Sequence, residues 1–531
     1  MVTTVARHIL ATIRSRGAAT VFGLPGVHNL AFWTGTRDPV VVRHEQAAVY
    51  AADGWARTTG RLGAAVVTTG PGAANAVAAF GEAAAAGSPV LLVASEIPEA
   101  QRRAGRLRGV LHESRDQAGI FRPLAKAVFT PRAPNEVATA LDAAVAAALR
   151  PPRGPVYLDV PADVLGLPAG RPAKGERGGE DAPSDDLLDA AAELLRSRRV
   201  VLWTGTGAVD EGDRIGRLAT RLGAPVVSTY GARGCPPTDH PRAVGLPPHE
   251  PEVAELIGGA DVLLAVGGDL DGMNTRNWTM ARPPLLVTVD PAPAVDPPEW
   301  PADVAVTGRL ADALDGLLDR LPADRPPWAP EGLREAVLAR LRADPATAEA
   351  MVLVEAVEAA RTPGTVLVCD MAVAGYWVGG YASASAARRL AYPVGWGTLG
   401  FGLPAALGAA ATGLPVLAVC GDGGPAMGLG ELATLVQEQL PVTVLVVDDG
   451  GYGMLRYDQQ RAGHAPAGTD LLTPDFGTLA AAFGLAHTDV GSVGDLAPAL
   501  AAAVRSGVPH LVRVPARLTP PRTTSPRWHE D

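Results

Sequence analysis

Cysteine is almost missing. Across 531 residues there are three, Cys235, Cys369 and Cys420, too widely spaced for a metal-binding pattern or a disulfide framework. Cys369 and Cys420 sit in apolar strand-like runs and read as small buried thiols. Aromatic residues are also sparse, at 5%, so Ala, Gly, Val and Leu must build the interior. That mix suits helices packed closely on parallel sheets. No run reaches the ~20 apolar residues that a membrane span needs. Positive charge is in the minority, and a net charge of −10 argues against nucleic acid or an acidic membrane as partner. The opening VARHILATIRSRG carries Val5, Ile9, Leu10 and Ile13 at helical spacing, with Gly17 to stop it. It reads as an amphipathic helix and not as a secretion signal, so a soluble, cytoplasmic protein is expected.

What is present is a strand-helix rhythm. ATVFGLPG, AAVVTTGPG, SPVLLVASE and GPVYLDVPADV read as strands ending in Gly or Pro turns. Ala-rich helices such as HEQAAVYAADGWART and GAANAVAAFGEAAAAG lie between them. A second block runs from RRVVLWTGTGAVD to PLLVTVDPAP, and a third includes GTVLVCDMAVAGYW, PVLAVCGDGG and PVTVLVVDDGG. Gly- and Pro-rich stretches at 166–186 and 319–332 read as linkers, and the tail 517–531 as a mobile end. The expected fold is α/β, with three doubly wound parallel-sheet domains over 1–168, 185–320 and 350–518.

The chemistry concentrates in GDGGPAMGLGELATLVQEQLPVTVLVVDDGGYG, residues 421–453. Open parallel sheets bind ligands at the carboxyl ends of their strands. Asp422 stands just past one such end, and Asp448 and Asp449 past another, with ELATLVQEQ as the crossover helix. Two oxygen-bearing loops with free glycine backbone suit a Mg²⁺ that carries phosphates. The spacing alone equally allows Asp422 and Asp449 to be turn and helix caps.

This stretch resembles the thiamine-diphosphate motif of the acetolactate synthase, pyruvate oxidase and benzoylformate decarboxylase superfamily. FGLPGVHNL, RHEQAAVYAADGWARTTGRLGAAVVTTGPGAANA, GPVYLDVPADV and GWGTLGFGLPAALGAA are similar to further motifs of that superfamily, in its order. The resemblance implies pyrimidine-binding, central and diphosphate-binding domains, in that order. It implies thiamine diphosphate and Mg²⁺ as cofactors. Glu45 matches the glutamate that contacts the pyrimidine, and Leu399 the wedge that bends the cofactor. Gly397 matches the carbonyl that receives its amino group. Asp422, Asp449 and the carbonyl of Gly451 match the metal ligands. Gly421, Gly423, Gly424, Tyr452, Gly453 and Met454 fall along the diphosphate loops, and Met371 and Ala372 on another. Where the superfamily carries paired asparagines, this chain has Asp448-Asp449. The extra charge implies a stronger Mg²⁺ dependence. The resemblance also implies an active site between subunits, in a homodimer or homotetramer.

On the substrate side, His28 in LPGVHNL, with His112 and Gln117 in GVLHESRDQAG, match pocket segments and count as catalytic candidates. Met454, Tyr457 and Gln459 follow the metal loop, and Trp377 and Trp396 compete between pocket and core. Thr68 stands where benzoylformate decarboxylase has a histidine. VGLPPHEPE is similar to an FAD-side segment but lacks the glycine-rich form, so FAD is possible and not predicted. The implied reaction adds the cofactor ylid to a 2-oxo acid, expels CO₂, and releases an aldehyde or transfers the unit to a second carbonyl. Two alternatives stand beside it: acetolactate synthase proper, and a non-catalytic cofactor-binding paralogue.

Overall fold

The structure is a computed structural model. It describes residues 3–34, 39–103, 105–171, 181–292 and 299–524. Parts of the expected 166–186 linker and of the tail lie outside them.

Three parallel sheets organise the described residues. The first is built from β1 (Val21–Gly23), β2 (Pro39–Val41), β3 (Gly63–Val67), β4 (Val90–Glu96), β5 (Ala127–Phe129) and β6 (Val156–Pro161), in the order β2-β1-β3-β4-β6-β5. The second takes β7 (Val200–Thr204), β8 (Val226–Ser228), β9 (Val262–Val266), β10 (Leu285–Asp290) and β11 (Val304–Thr307), in the order β11-β10-β9-β7-β8. The third takes β12 (Val366–Cys369), β13 (Leu390–Ala391), β14 (Val416–Gly421), β15 (Val442–Asp448), β16 (Ala486–Asp489) and β17 (His510–Pro515), in the order β13-β12-β14-β15-β17-β16. The central strands are continuous apolar runs because helices bury both of their faces.

The expected opening helix spans Val5–Ser15 and buries Val5, Ile9, Leu10 and Ile13, while the Thr4 side chain accepts the Arg7 amide at its start. The Ala-rich stretch after β3 is not one helix. It breaks at Ala76 into Pro71–Asn75 and Val77–Ala85. The tail departs from expectation as well. Its described part is docked, with Trp377 donating to the Thr519 carbonyl and His249 bonding the Thr523 carbonyl.

First and third domains share one apolar core. Helix Glu45–Thr59 crosses helix Gly402–Ala410 so closely that a Cβ at Gly408 would stand 1.7 Å from the Ala51 carbonyl oxygen. A Cβ at Gly54 would stand 2.1 Å from that of Ala405. Only glycine permits backbones to meet this way.

Candidate active site

β14 and β15 are neighbours in register, Gly421 opposite Val447. Asp422 and Asp448-Asp449 are therefore brought side by side at the carboxyl edge of the sheet. Asp422 Oδ1 accepts the Gly423 amide at 3.0 Å. Asp422 Oδ2 and Asp449 Oδ1 are buried with no hydrogen-bond partner among the described residues. Burial and the charge of Asp448 raise the pKa of Asp422. Burial, then Asp422, push Asp449 up to about 6. These are crowded carboxylates that a cation would relieve.

Around them lies a cradle that side chains would fill. A Cβ at Gly453 would stand 1.8 Å from Asp449 Oδ2, one at Gly423 3.0 Å from the Tyr452 ring, and one at Gly421 3.1 Å from the Ala372 Cβ. One at Gly424 would meet Asp370 Oδ2 at 2.4 Å. Gly451 takes φ of 144°, which L-residues avoid. Met371 and Gly397 also converge, the Met371 methyl 3.7 Å from a Cβ built on Gly397.

Three arginines hold the Asp448–Gly451 loop. Arg513 Nη2 and Nε donate to Asp448 Oδ2 at 2.6 and 3.0 Å. Arg456, buried, donates to the carbonyls of Asp449 and Gly450 and stands 4.0 Å from Asp449 Oδ1. Arg517 Nε donates to the Asp449 carbonyl at 3.2 Å. Arg513 is thus engaged by Asp448, and Arg456 by Asp470, to whose Oδ1 its Nε donates at 2.8 Å, so the Asp449 carboxylate receives no close guanidinium contact among the described residues.

In the first domain, Glu45 opens helix Glu45–Thr59 and is 7% exposed. Its Oε2 accepts Asn75 Nδ2 at 3.0 Å. Across the domain boundary, the Arg43 amide donates to Glu431 Oε1 at 2.8 Å, which fixes the approach to this helix. Thr68 stands beside Glu45, since a Cβ at Gly72 would lie 3.0 Å from Glu45 Oε1 and 2.6 Å from Thr68 Cγ2. The His28 and His112 rings are 5.3 Å apart. Burial, then His112, lowers the pKa of His28. His112 adopts φ of 66°, an uncommon conformation for a non-glycine residue.

Not every candidate points into this space. Gln117 is buried and fully engaged: its Oε1 accepts the Gly70 amide at 2.6 Å, and its Nε2 donates to Ser95 O and Tyr157 Oη, both at 2.9 Å. It positions the turn that touches His112. Trp377 is core, while Trp396 is 51% exposed. Gln459 braces residues 467–469. Met454 packs partly against the third-domain core. In the central domain, VGLPPHEPE holds the tail through His249, which bonds Thr523 O, and a third-domain helix through Glu250, whose Oε2 accepts from Tyr381 Oη at 2.5 Å.

Asp370 was not singled out from the sequence. It is buried, its pKa pushed up to about 6 by burial, and its Oδ1 accepts the amides of Met371 and Gly400. A carboxylate ending an apolar run, as in VLVCD, is the same signal that exposed Asp422. Arg513 and Arg517 carried no such signal, because they arrive from 65 and 68 residues away.

Models of the thiamine pyrophosphate enzyme domains match the chain in this order. The N-terminal TPP binding domain covers residues 3–120, the central domain 187–317, and the C-terminal TPP binding domain 370–514. The chain belongs to the thiamine pyrophosphate enzyme family. A probable 2-ketoarginine decarboxylase of Pseudomonas aeruginosa is 35% identical over 505 residues, spanning 91% of this chain and 89% of that one. A probable acetolactate synthase large subunit of Methanocaldococcus jannaschii is 29% identical, over 96% and 91%. The solved thiamine diphosphate-dependent 4-hydroxybenzoylformate decarboxylase of Rhodococcus jostii RHA1 superposes with a TM-score of 0.81. It is 26% identical and covers 97% of this chain and 100% of that one. This thiamine pyrophosphate enzyme is thus of the decarboxylase and acetolactate-synthase type.

The residues of this family member fit its cofactor. The glycine cradle leaves backbone open for a diphosphate, and the two unpartnered carboxylate oxygens suit a hard cation. Among the described residues no group of three or more His, Cys, Asp or Glu could hold a metal. A magnesium ion at Asp422 and Asp449 would complete its six oxygens from backbone, phosphate and water. Among the described residues no helix is long and apolar enough to cross a membrane.

Proposed function

We propose that this enzyme decarboxylates a 2-oxo acid with thiamine diphosphate and Mg²⁺, releasing an aldehyde or passing the unit to a second carbonyl. The observation that carries this is the pairing of Asp422 and Asp449, each with an unpartnered buried oxygen, at adjacent strand ends inside a glycine cradle. The names of two similar proteins support the substrate class, since 2-ketoarginine and 4-hydroxybenzoylformate are both 2-oxo acids.

The cofactor would supply the carbon nucleophile and the electron sink. The protein supplies position and protons. Asp422, Asp449 and the Gly451 carbonyl would hold the magnesium. Gly421, Gly423, Gly424, Tyr452, Gly453 and Met454, with Met371 and Ala372, line the diphosphate. Gly397 and Leu399 would orient the aminopyrimidine, and the buried Glu45, braced by Asn75, would hydrogen-bond to it. His28 and His112, with rings 5.3 Å apart, would move protons on the substrate side, and the lowered pKa of His28 favours its neutral imidazole. Gln117 acts through the turn it braces.

Glu45 hydrogen-bonds within its own domain, and the 396–398 segment of the same chain rests on Gly81 and Glu82. Apolar side chains are exposed at both places: Val27, Leu30 and Leu111 in the first domain, and Leu399, Leu455 and Leu472 in the third. This supports a homodimer in which Glu45 of one chain meets the Asp422 loop of the other. The free buried cysteines accord with the reducing cytoplasm.

The test is CO₂ release from a panel of 2-oxo acids with thiamine diphosphate and Mg²⁺, wild type against Glu45→Gln, products read by mass spectrometry. Release lost in the variant supports the reading, and acetolactate from pyruvate would mark the enzyme as an acetolactate synthase. Bound cofactor with no release from any acid would sink it and favour a non-catalytic paralogue.

A further inference from the structure

The loop 392–401 follows β13, a two-residue edge strand. Gly395, Gly397 and Gly400 adopt φ of 110°, 73° and 76°. Such a loop has high conformational entropy and little ladder to restrain it. Its order must come from elsewhere, and the first domain of the same chain provides the anchors.

Arg57, near the end of helix Glu45–Thr59, lies at the centre. Its Nε and Nη2 donate to Asp53 Oδ1 and Oδ2 at 2.9 and 2.7 Å, and Nη2 also to Glu82 Oε1 at 2.9 Å. Asp53 and Glu82 are fully buried. Arg57 Nη1 donates to the Tyr392 carbonyl at 2.9 Å, and its guanidinium lies 4.8 Å from the centre of the Phe401 ring. Glu82 Oε2 accepts Thr398 Oγ1 at 3.0 Å. Trp396 packs over Gly81, where a Cβ would stand 2.7 Å from the indole. The contacts fall at Tyr392, Trp396, Thr398 and Phe401, on both sides of Gly397 and Leu399.

We infer that Asp53, Arg57 and Glu82 form a buried positioning network that pre-orders the aminopyrimidine-binding loop of the third domain before cofactor arrives. The three residues do not touch the reacting atoms. They hold the Thr398 hydroxyl and the Tyr392 carbonyl, so Gly397 and Leu399 are presented in one arrangement and the cofactor need not order them. The inference rests on the proposed cofactor role of Gly397 and Leu399.

Removing Arg57 would strand two buried carboxylates, so the test uses its neighbours. In the full-length apoprotein, amide hydrogen exchange is followed over 392–401 and over 416–424 for wild type, Glu82→Met, Glu82→Gln and Thr398→Val. Thiamine diphosphate affinity in the presence of Mg²⁺ is measured by calorimetry without substrate. Glu82→Met and Thr398→Val are expected to speed exchange over 392–401 about tenfold. They are expected to weaken cofactor binding by a similar factor. Glu82→Gln, whose amide oxygen can accept from Arg57 while its Nε2 donates to Thr398 Oγ1, should stay near wild type, and exchange over 416–424 should not change in any variant. Unchanged exchange over 392–401 in Thr398→Val, or in a folded Glu82→Met, overturns the network's role. A wild type that binds no thiamine diphosphate would instead overturn the cofactor reading, while the exchange data would still report on the network.

Discussion

Asp448 and Asp449 have different neighbours although they are adjacent. Asp448 is neutralised by a two-pronged contact from Arg513, whereas Asp449 keeps a buried oxygen with no hydrogen bond among the described residues and a pKa raised to about 6 by burial and Asp422. A metal at this point would therefore bind against competition from a proton. Asp449→Asn should lower the Mg²⁺ concentration needed for half-maximal thiamine diphosphate binding, read by titration of bound cofactor. An unchanged requirement would show that Asp449 adds nothing to the metal dependence. Arg513→Met should weaken cofactor binding by roughly tenfold, since it leaves a partly buried carboxylate unpaired beside a diphosphate. Asp448→Asn in the same chain should restore most of the loss, and a purely additive double mutant would contradict the pairing.

The decisive elements are two helices that meet without side chains between them. Helix Glu45–Thr59 carries Glu45 at its start and Arg57 near its end, and it is pressed to helix Gly402–Ala410 through Gly54 and Gly408. Gly408→Ala has no room against the Ala51 carbonyl, so the helices must part. Overpacking of this kind costs ~1–3 kcal/mol. The variant should show a lower urea midpoint together with weaker cofactor binding, because the loop anchored by Arg57 moves with the helix. A stability loss with unaltered cofactor affinity would uncouple the two.

For the whole molecule, one buried acid sets a pH slope. Asp159 on β6 is 1% exposed, with no hydrogen bond to either carboxylate oxygen among the described residues and Arg132 Nη1 at 3.5 Å. Burial outweighs Arg132 and pushes its pKa up to about 7. A raised carboxyl pKa means that the folded state holds the proton longer than the unfolded one. Its contribution to stability is full below the ordinary carboxyl range and is lost as pH rises through about 7. Wild type should lose more stability between pH 5.5 and 8 than Asp159→Asn, as read from urea midpoints, and equal slopes would contradict this. If the proposed homodimer shares its sites between chains, Glu45→Gln and Asp422→Ala chains should each be inactive alone. Mixed and refolded together, they should regain activity, because one site of the hybrid then takes Glu45 from one chain and Asp422 from the other. No recovery would place both residues in one chain's site.

Local signals sufficed for the three-sheet α/β architecture, for the helix that carries Glu45, and for the strand ends that expose Asp422 and Asp449, whereas Glu45 itself stood out only through the family resemblance. Apolar periodicity, turn glycines and carboxylates at strand ends are written within a few residues of one another, so they survive without a fold. The sequence did not reveal which side chains would be consumed by packing. Gln117 and Gln459 look free in a string of letters, and the structure occupies every hydrogen-bonding arm of Gln117. Nor did it reveal that Arg513 would reach Asp448 from 65 residues away, or that Glu82 would take a hydroxyl from Thr398 at a separation of 316. Such pairings depend on how sheets and helices stack, and only the tertiary structure, by bringing distant charges into one dry volume, decides them.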